Sequence, residues 1–418
     1  MDFMNLGVMR APRHLVFGAG QRGSLPRYAS AFGTRALIVT DVRMAQDESF
    51  LQMRQALEAQ GIATQVFDGV AAELPLSCIE TGAEAGRMAD AQMIIGIGGG
   101  SCLDAAKVIG ALLTHGGAPQ DYYGEYKVPG PIVPLILLPT TSGTGSEVTP
   151  VAVLDDPQRA MKIGIASPYL IPEIAICDPE LTISCPPGLT AASGADAMTH
   201  AIESFTTLRR APEPGLSLDH VFIGKNAISD SLGLEAIRLI AANLARCVSH
   251  GDDLEARSAM MLGSTLAGLA FGVAGTAAAH AIQYPVGAMT HTAHGLGVAT
   301  LMPYVMAWNR PNCEAEFARI GAAMGLSATG DQTRQAEAAI SAIAALFAQV
   351  GIPATIAELG VPEDRLDEIG QLALSAERLI KNNPRMLDAE GMKRIVRAAH
   401  SGDLDLLTAT SPRKAALQ

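Results

Sequence analysis

The chain has 418 residues, 49% of them hydrophobic, and a formal net charge of −12. Such an acidic surface offers no electrostatic footprint for nucleic acid or an anionic membrane. Its apolar stretches are broken by Gly, Pro or charge well short of ~18–20 residues, and its start lacks an extended apolar core, so neither a membrane span nor a secretory leader is expected. The expectation is a cytoplasmic small-molecule enzyme of two domains.

From the start, short β-branched runs alternate with helical patterns: His14-Leu-Val-Phe, Ala36-Leu-Ile-Val-Thr, Ala63-Thr-Gln-Val-Phe, Met93-Ile-Ile-Gly-Ile, Pro134-Leu-Ile-Leu-Leu and Ile174-Ala-Ile-Cys. That alternation predicts a mostly parallel α/β sheet, Rossmann-like, over residues 1–186. Beyond Pro186-Pro187 the strand signals stop. Segments such as Leu232-Gly-Leu-Glu-Ala-Ile-Arg-Leu-Ile and Ala336-Glu-Ala-Ala-Ile-Ser-Ala-Ile-Ala-Ala-Leu-Phe predict an all-α bundle over residues 187–418. The polar, Pro-rich stretch 209–220 reads as a long loop, either a lid or a surface insertion. The tail after Thr410 is expected to fray.

Two glycine turns compete for a nucleotide. Gly18-Ala-Gly-Gln-Arg-Gly23 follows the first strand as a lone GxGxxG, with Asp41 at the offset of a ribose-binding acid. Gly98-Gly-Gly-Ser101 follows the strand at Met93 and opens a helix through Asp104 to Lys107. Its glycines allow close backbone approach, Ser101 is placed to cap, and the helix N-terminus attracts phosphate. Under either reading Asp41 accepts from an adenosine ribose and repels a 2′-phosphate, favouring NAD over NADP. Thr140-Thr-Ser-Gly-Thr-Gly-Ser-Glu147 adds a hydroxyl-rich loop at the end of another strand. Six scattered cysteines form no CxxC pair and read as reduced thiols, with Cys102 a packing residue rather than a nucleophile.

Asp196 and His200 stand four apart in Gly194-Ala-Asp-Ala-Met-Thr-His, so on a helix both face one way and can converge on a cation. Taken alone, Asp196 also reads as a capping box with Ser193. His280 and His294 complete a candidate ligand set, but fourteen residues of straight helix rise about 21 Å. A break at Pro285 and Gly287 is expected to fold the second histidine back toward the first. His291 is expected at the surface or behind the ligands.

These segments together resemble the iron-containing (group III) alcohol dehydrogenase family. The resemblance runs through residues 98–107, 140–147, Asp178-Pro-Glu-Leu, 194–203 and 280–295 to Leu301-Met-Pro-Tyr-Val. It implies the dehydroquinate synthase-like, group III dehydrogenase fold, a homo-oligomer, and a cleft holding NAD and one divalent metal, Fe²⁺ or Zn²⁺. It implies Asp196, His200, His280 and His294 as ligands and Gly98, Gly99, Gly100 and Ser101 as diphosphate contacts. Thr140, Thr141 and Gly145 would neighbour the adenine, ribose and nicotinamide, Lys162 would contact ribose, Asp41 would select NAD, and Asp104 would line the cleft. Many members carry a further histidine where this chain has Tyr284, a phenol that can donate to a substrate oxygen. The implied reaction moves hydride between the nicotinamide and a small alcohol/aldehyde or ketone pair, the metal acting as Lewis acid. A hydroxyacid–oxoacid transhydrogenase with tightly held NAD is the alternative, and four intact ligand positions argue against a non-enzymatic descendant.

Overall fold

The computed structural model describes residues 6–408, apart from 157, 158, 160, 161 and 329. The expected frayed tail lies outside the described residues. β1 (His14–Phe17), β2 (Arg35–Val39), β3 (Ala63–Phe67), β4 (Met93–Gly98), β6 (Leu135–Pro139) and β9 (Ile174–Cys177) form one wholly parallel sheet in the order β3-β2-β4-β6-β9-β1. Alternate residues feed two cores. Leu37, Ile94, Leu135 and Leu137 face α2 (Leu76–Met88) and α3 (Gly100–His115); Ile38, Ile95, Ile136 and Leu138 face Phe50, Met53 and Leu57 of α1 (Glu48–Ala59). Burial on both faces explains why the strands read as continuous apolar runs, and all six sit where the sequence pattern predicts them.

A second sheet was not legible. β5 (Gly124–Glu125), β7 (Val151–Leu154) and β8 (Ile163–Ala166) pair in the order β5-β8-β7, with β7 and β8 antiparallel. β5 is only two residues long, and β7 and β8, four residues each like β1 and β9, form an antiparallel pair outside the strand–helix alternation that marks the main sheet. The buried Lys107 ammonium of α3 fastens this sheet by donating to the carbonyls of Thr149 (3.0 Å) and Val151 (2.8 Å).

Strand order puts the topological switch between β2, whose chain continues to β3 on one side, and β4, whose chain continues to β6 on the other. Ligands of open parallel sheets bind at the carboxyl ends of such a strand pair. Asp41 and the Gly98 turn lie there. The Gly18 turn instead follows the edge strand β1, and its Gly20 and Arg22 amides donate to the Asp178 carboxylate at 3.1 and 3.0 Å. An internal anion already occupies those donors, which removes the GxGxxG as a nucleotide cradle.

From Pro187 the described chain is helical: α4 (Pro187–Thr206), α5 (Ala227–Ser249), α6 (Leu254–Ala274), α7 (Ala278–Thr290), α8 (His294–Ala323), α9 (Gln332–Gln349), α10 (Leu366–Ser375), α11 (Glu377–Asn382) and α12 (Ala389–Ser401), with a few shorter turns. α4 is the axis of this bundle, buried from Gly194 to Thr206 and packed by α5, α6 and α8. Asp196 is therefore an interior helical carboxylate, and the capping-box reading fails: the helix begins at Pro187, and Ser193 returns its hydroxyl to the Leu189 carbonyl at 2.7 Å. The 209–220 loop contains a short helix, Leu216–Asp219, and is tied down by Arg10, which donates to the carbonyls of Ser217 and Val221 at 2.6 Å.

The break between the two late histidines is displaced from its expected place. α7 runs through Pro285 and Gly287 and stops at His291, whose φ of 54° gives the left-handed stop usually left to glycine. α8 then starts at His294. Gly295 permits this junction, because a Cβ there would lie 2.3 Å from the Ala192 carbonyl oxygen of α4. Among the described residues no single helix is long and apolar enough to cross a membrane; α6 and α7 pass together only as a pair bent by 102°, both largely buried in the bundle.

Candidate metal and nucleotide site

A cavity of about 520 Å³ lies between the carboxyl edge of the sheet and the helical bundle. On the sheet side Asp41, Gly99, Gly100, Ser101, Asp104, Thr140, Thr141 and Lys162 line it; on the bundle side Asp196, His200, His280, Tyr284 and His294 do. No residue of the 209–220 loop lines it, so the loop does not shape the entrance here; Phe222, just after it, does.

Gly99, not Ser101, is the cap of α3, and it contributes no side-chain acceptor. The Gly100 and Ser101 amides therefore start the helix at the cavity wall without protein acceptors among the described residues, as an anion-binding helix start requires. Gly98 and Gly145 do not line the cavity, contrary to a direct-contact reading; they shape it. Gly98 has φ +154°, and a Cβ there would lie 2.6 Å from the Cys102 sulfur; Gly145 has φ +60°, and a Cβ there would meet the Gly268 Cα at 2.6 Å. Asp41 spends one carboxylate oxygen on the Met44 amide (2.8 Å), while the other lies 3.7 Å from the Cys102 thiol. Burial and that carboxylate push the Cys102 thiol far above its ordinary range, consistent with packing and not reactivity.

Asp104 lines the cavity, but its carboxylate is engaged by the protein. It accepts from the Ser146 hydroxyl (2.5 Å) and the Val153 amide (2.9 Å) and stands 3.8 Å from Lys107. It braces the cavity wall and has little left to offer a cofactor. Lys162 forms an ion pair with Glu73 at the rim.

Asp196 and His200 face the same side of α4. Asp196 Oδ1 lies 3.8 Å from His200 Nε2, 3.8 Å from His280 Nε2 and 3.9 Å from His294 Nε2. Bonds of ~2.0–2.2 Å to a tetrahedral ion set ligand atoms roughly 3.3–3.6 Å apart, so a small contraction would close the set. Asp196, His280 and His294 bring ligand atoms within 4.8 Å of one another; His200 stands outside that trio and joins it only through Asp196, at 3.8 Å. Asp196 Oδ1 and His280 Nε2 are buried without a hydrogen-bond partner. An unpaired carboxylate oxygen facing three imidazoles suits a cation and little else. Burial raises the Asp196 carboxyl to about 7 and holds His200 and His294 well below the usual imidazole value, so both histidines present neutral rings.

Several contributors were missed in the sequence. Glu203 accepts the Nδ1 side of His280 at 2.6 Å and the amides of Ala277 and Ala279, both at 2.8 Å. One carboxylate thus caps α7 and fixes the ring that α7 carries. Its spacing was the available signal, since Glu203 follows Asp196 by seven and His200 by three on one helix face. Phe271 stacks on the His200 ring at 4.2 Å, and Phe222, Thr276 and Arg378 complete the bundle-side wall, with no local pattern to announce them. Tyr284, one turn after His280, also lines the cavity, and burial raises its hydroxyl above its ordinary value. His291 is exposed and serves as the α7 stop, apart from the ligand cluster.

Residues 12–179 match the family described as iron-containing alcohol dehydrogenase, and residues 218–400 match the C-terminal part of the Fe-containing alcohol dehydrogenase family. Long-chain-alcohol dehydrogenase 1 of Geobacillus thermodenitrificans is 36% identical over 91% of this chain and 91% of its own length. NAD-dependent methanol dehydrogenase of Bacillus methanolicus is 32% identical over 87% of this chain and 92% of its own length. The crystal structure of a 1,3-propanediol oxidoreductase superposes with a TM-score of 0.88 at 32% identity, covering 94% of this chain and all of the other. Likeness of that extent runs through both halves of the molecule, and the chain belongs to the iron-containing alcohol dehydrogenase family, whose members are alcohol and aldehyde oxidoreductases.

Proposed function

We propose that this enzyme transfers hydride between NAD(H) and a small alcohol/aldehyde pair at a divalent metal held by Asp196, His200, His280 and His294. The supporting observation is a buried carboxylate oxygen without a partner, 3.8–3.9 Å from three imidazole nitrogens, on the wall of a cavity whose other wall is a helix N-terminus. Three imidazoles and one carboxylate suit Fe²⁺ or Zn²⁺, and we favour Fe²⁺ on the family's name. When bound, the ion supplies Lewis-acid polarisation of the substrate oxygen, and the nicotinamide accepts or donates the hydride.

The chain's own groups do the rest. The Gly100 and Ser101 amides and the positive end of α3 bind the diphosphate; Asp41, Thr140, Thr141 and Lys162 flank the nucleoside parts. Glu203 holds His280 so that its Nε2 lone pair faces Asp196. Phe222 and Phe271 exclude water from the bundle end of the cavity. Tyr284 keeps its proton near neutrality and is placed to donate it in a hydrogen bond to a substrate oxygen.

Metal analysis of the purified protein beside an NADH-linked panel of aldehydes tests this reading. His280→Ala should lose metal and turnover together; full turnover after complete metal loss would sink it. Tyr284 also leaves a second reading, hydroxyacid–oxoacid transhydrogenation with retained nucleotide. Exchange between a hydroxy acid and an oxo acid without added NAD would favour it.

A further inference from the structure

We infer that the substrate carries an anionic oxygen group, a carboxylate or sulfonate, at the end away from its reacting carbon, and that Arg378 is the residue that selects it. The inference deepens the hydride-transfer reading and rests on it. Arg378, on α11, is half-buried on the cavity wall beside Phe222, Thr276 and Tyr284. Its guanidinium sits over the Phe222 ring, 4.3 Å from the centroid, and its field reaches the Tyr284 hydroxyl, which places it on the His280 side of the cavity.

Arg378 has no hydrogen bond or ion pair to any other described residue. Its neighbour Glu377 is committed to Lys381 at 2.6 Å. The two carboxylates whose field also reaches Tyr284, Asp196 on the wall and Glu203 buried behind it, face the histidines. Other half-buried arginines are answered: Arg22 meets Asp178 at 2.9 Å, and Arg310 meets Glu314 at 2.9 Å. A guanidinium whose face is held by an aromatic ring keeps its N–H edge free for a planar or tetrahedral oxyanion. A substrate with its carbonyl at the metal cluster and its anion at this edge would span the bundle end of the cavity and supply the missing counter-charge.

The test compares reduction by NADH of 4-oxobutanoate, 3-oxopropane-1-sulfonate and the neutral butanal, using metal-loaded enzyme. The expected kcat/KM for at least one anionic aldehyde exceeds that for butanal by tenfold or more. Arg378→Gln should cut that ratio at least tenfold, chiefly through KM, and Arg378→Lys should restore part of it. A purely structural role would move both substrate classes together and leave the ratio unchanged. Should Arg378→Gln misfold, the wild-type enzyme still decides: butanoate should compete with the aldehyde where butanamide does not. Butanal turnover without an anion preference, or a ratio indifferent to Arg378, overturns the inference alone. Reduction of none of the aldehydes overturns the hydride-transfer reading and the inference with it.

Discussion

Glu203 joins two tasks in one carboxylate, and its substitution separates them. Glu203→Gln keeps one oxygen to cap α7 but loses the charge that holds the His280 Nδ1 proton. Partners of this kind typically affect metal affinity by ~10–100-fold. The expected result is weaker metal retention against a chelator with little change in far-ultraviolet circular dichroism; unchanged retention would reduce Glu203 to a helix cap. At the other end of the cavity, the proposed selection of NAD by Asp41 predicts that Asp41→Ser removes the repulsion of a 2′-phosphate, while the exposed Arg43 on the same wall remains to receive one. The ratio of NADPH to NADH kcat/KM should rise tenfold or more. Asp196 and His200 were legible because helical spacing alone makes them neighbours. Glu203 was less so, since its partner is seventy-seven residues away, and Arg378 was not, since nothing near it in sequence marks a cavity wall.

Elements obeyed the sequence where their burial was simple. The six parallel strands were readable as apolar runs alternating with helices, whereas β5, β7 and β8 lie outside that alternation and are held by the Lys107 ammonium. Burial lowers the Lys107 pKa to about 8, below its ordinary value near 10.5. Between those values the unfolded chain binds more protons, so this group's contribution makes stability rise with pH from about 8 toward 10.5. Other groups titrate there too, so the quantity to measure is the wild-type unfolding free energy minus that of Lys107→Met. That difference should grow in favour of wild type over this window; a flat difference would mean that burial does not lower the Lys107 pKa and that the folded ammonium stays charged up to its ordinary value. The α7 stop was misplaced in the sequence reading because Pro285 suggests a break, yet the helix accommodates it and ends on a left-handed histidine. His291→Gly relieves that backbone cost and should stabilise the fold by ~1 kcal/mol in urea titrations without loss of metal. Metal loss would instead make His291 a ligand.

At the scale of the whole molecule, the division into a sheet half and a helical half was legible from the change of period, but the convergence of Asp196, His280 and His294 was not. It depends on three helices, α4, α7 and α8, meeting at one point; the residues suggested a ligand set and a break between His280 and His294, but placed that break at Pro285 and Gly287 instead of at His291. An ion there would tie those helices together, so its removal should lower the melting temperature of the entire bundle. The pH dependence of that effect follows from Asp196. Its folded, metal-free carboxyl sits near 7, above the ordinary 3.8, so its own contribution to metal-free stability is present at low pH and lost as pH rises through about 7. His200 and His294 are shifted the other way, so their contribution grows as pH rises toward 6.5. The gap between metal-loaded and metal-free protein cancels the unfolded chain and isolates the site. Below about 7 the ion must displace the Asp196 proton, so apparent affinity should climb about tenfold per pH unit, or roughly 1.4 kcal/mol of added stabilisation, and level off above it. Calorimetry with and without chelator across pH 5 to 8 reads this directly. Asp196→Asn has no proton to displace and should flatten the slope, while a wild-type gap independent of pH would place the ion somewhere other than on Asp196.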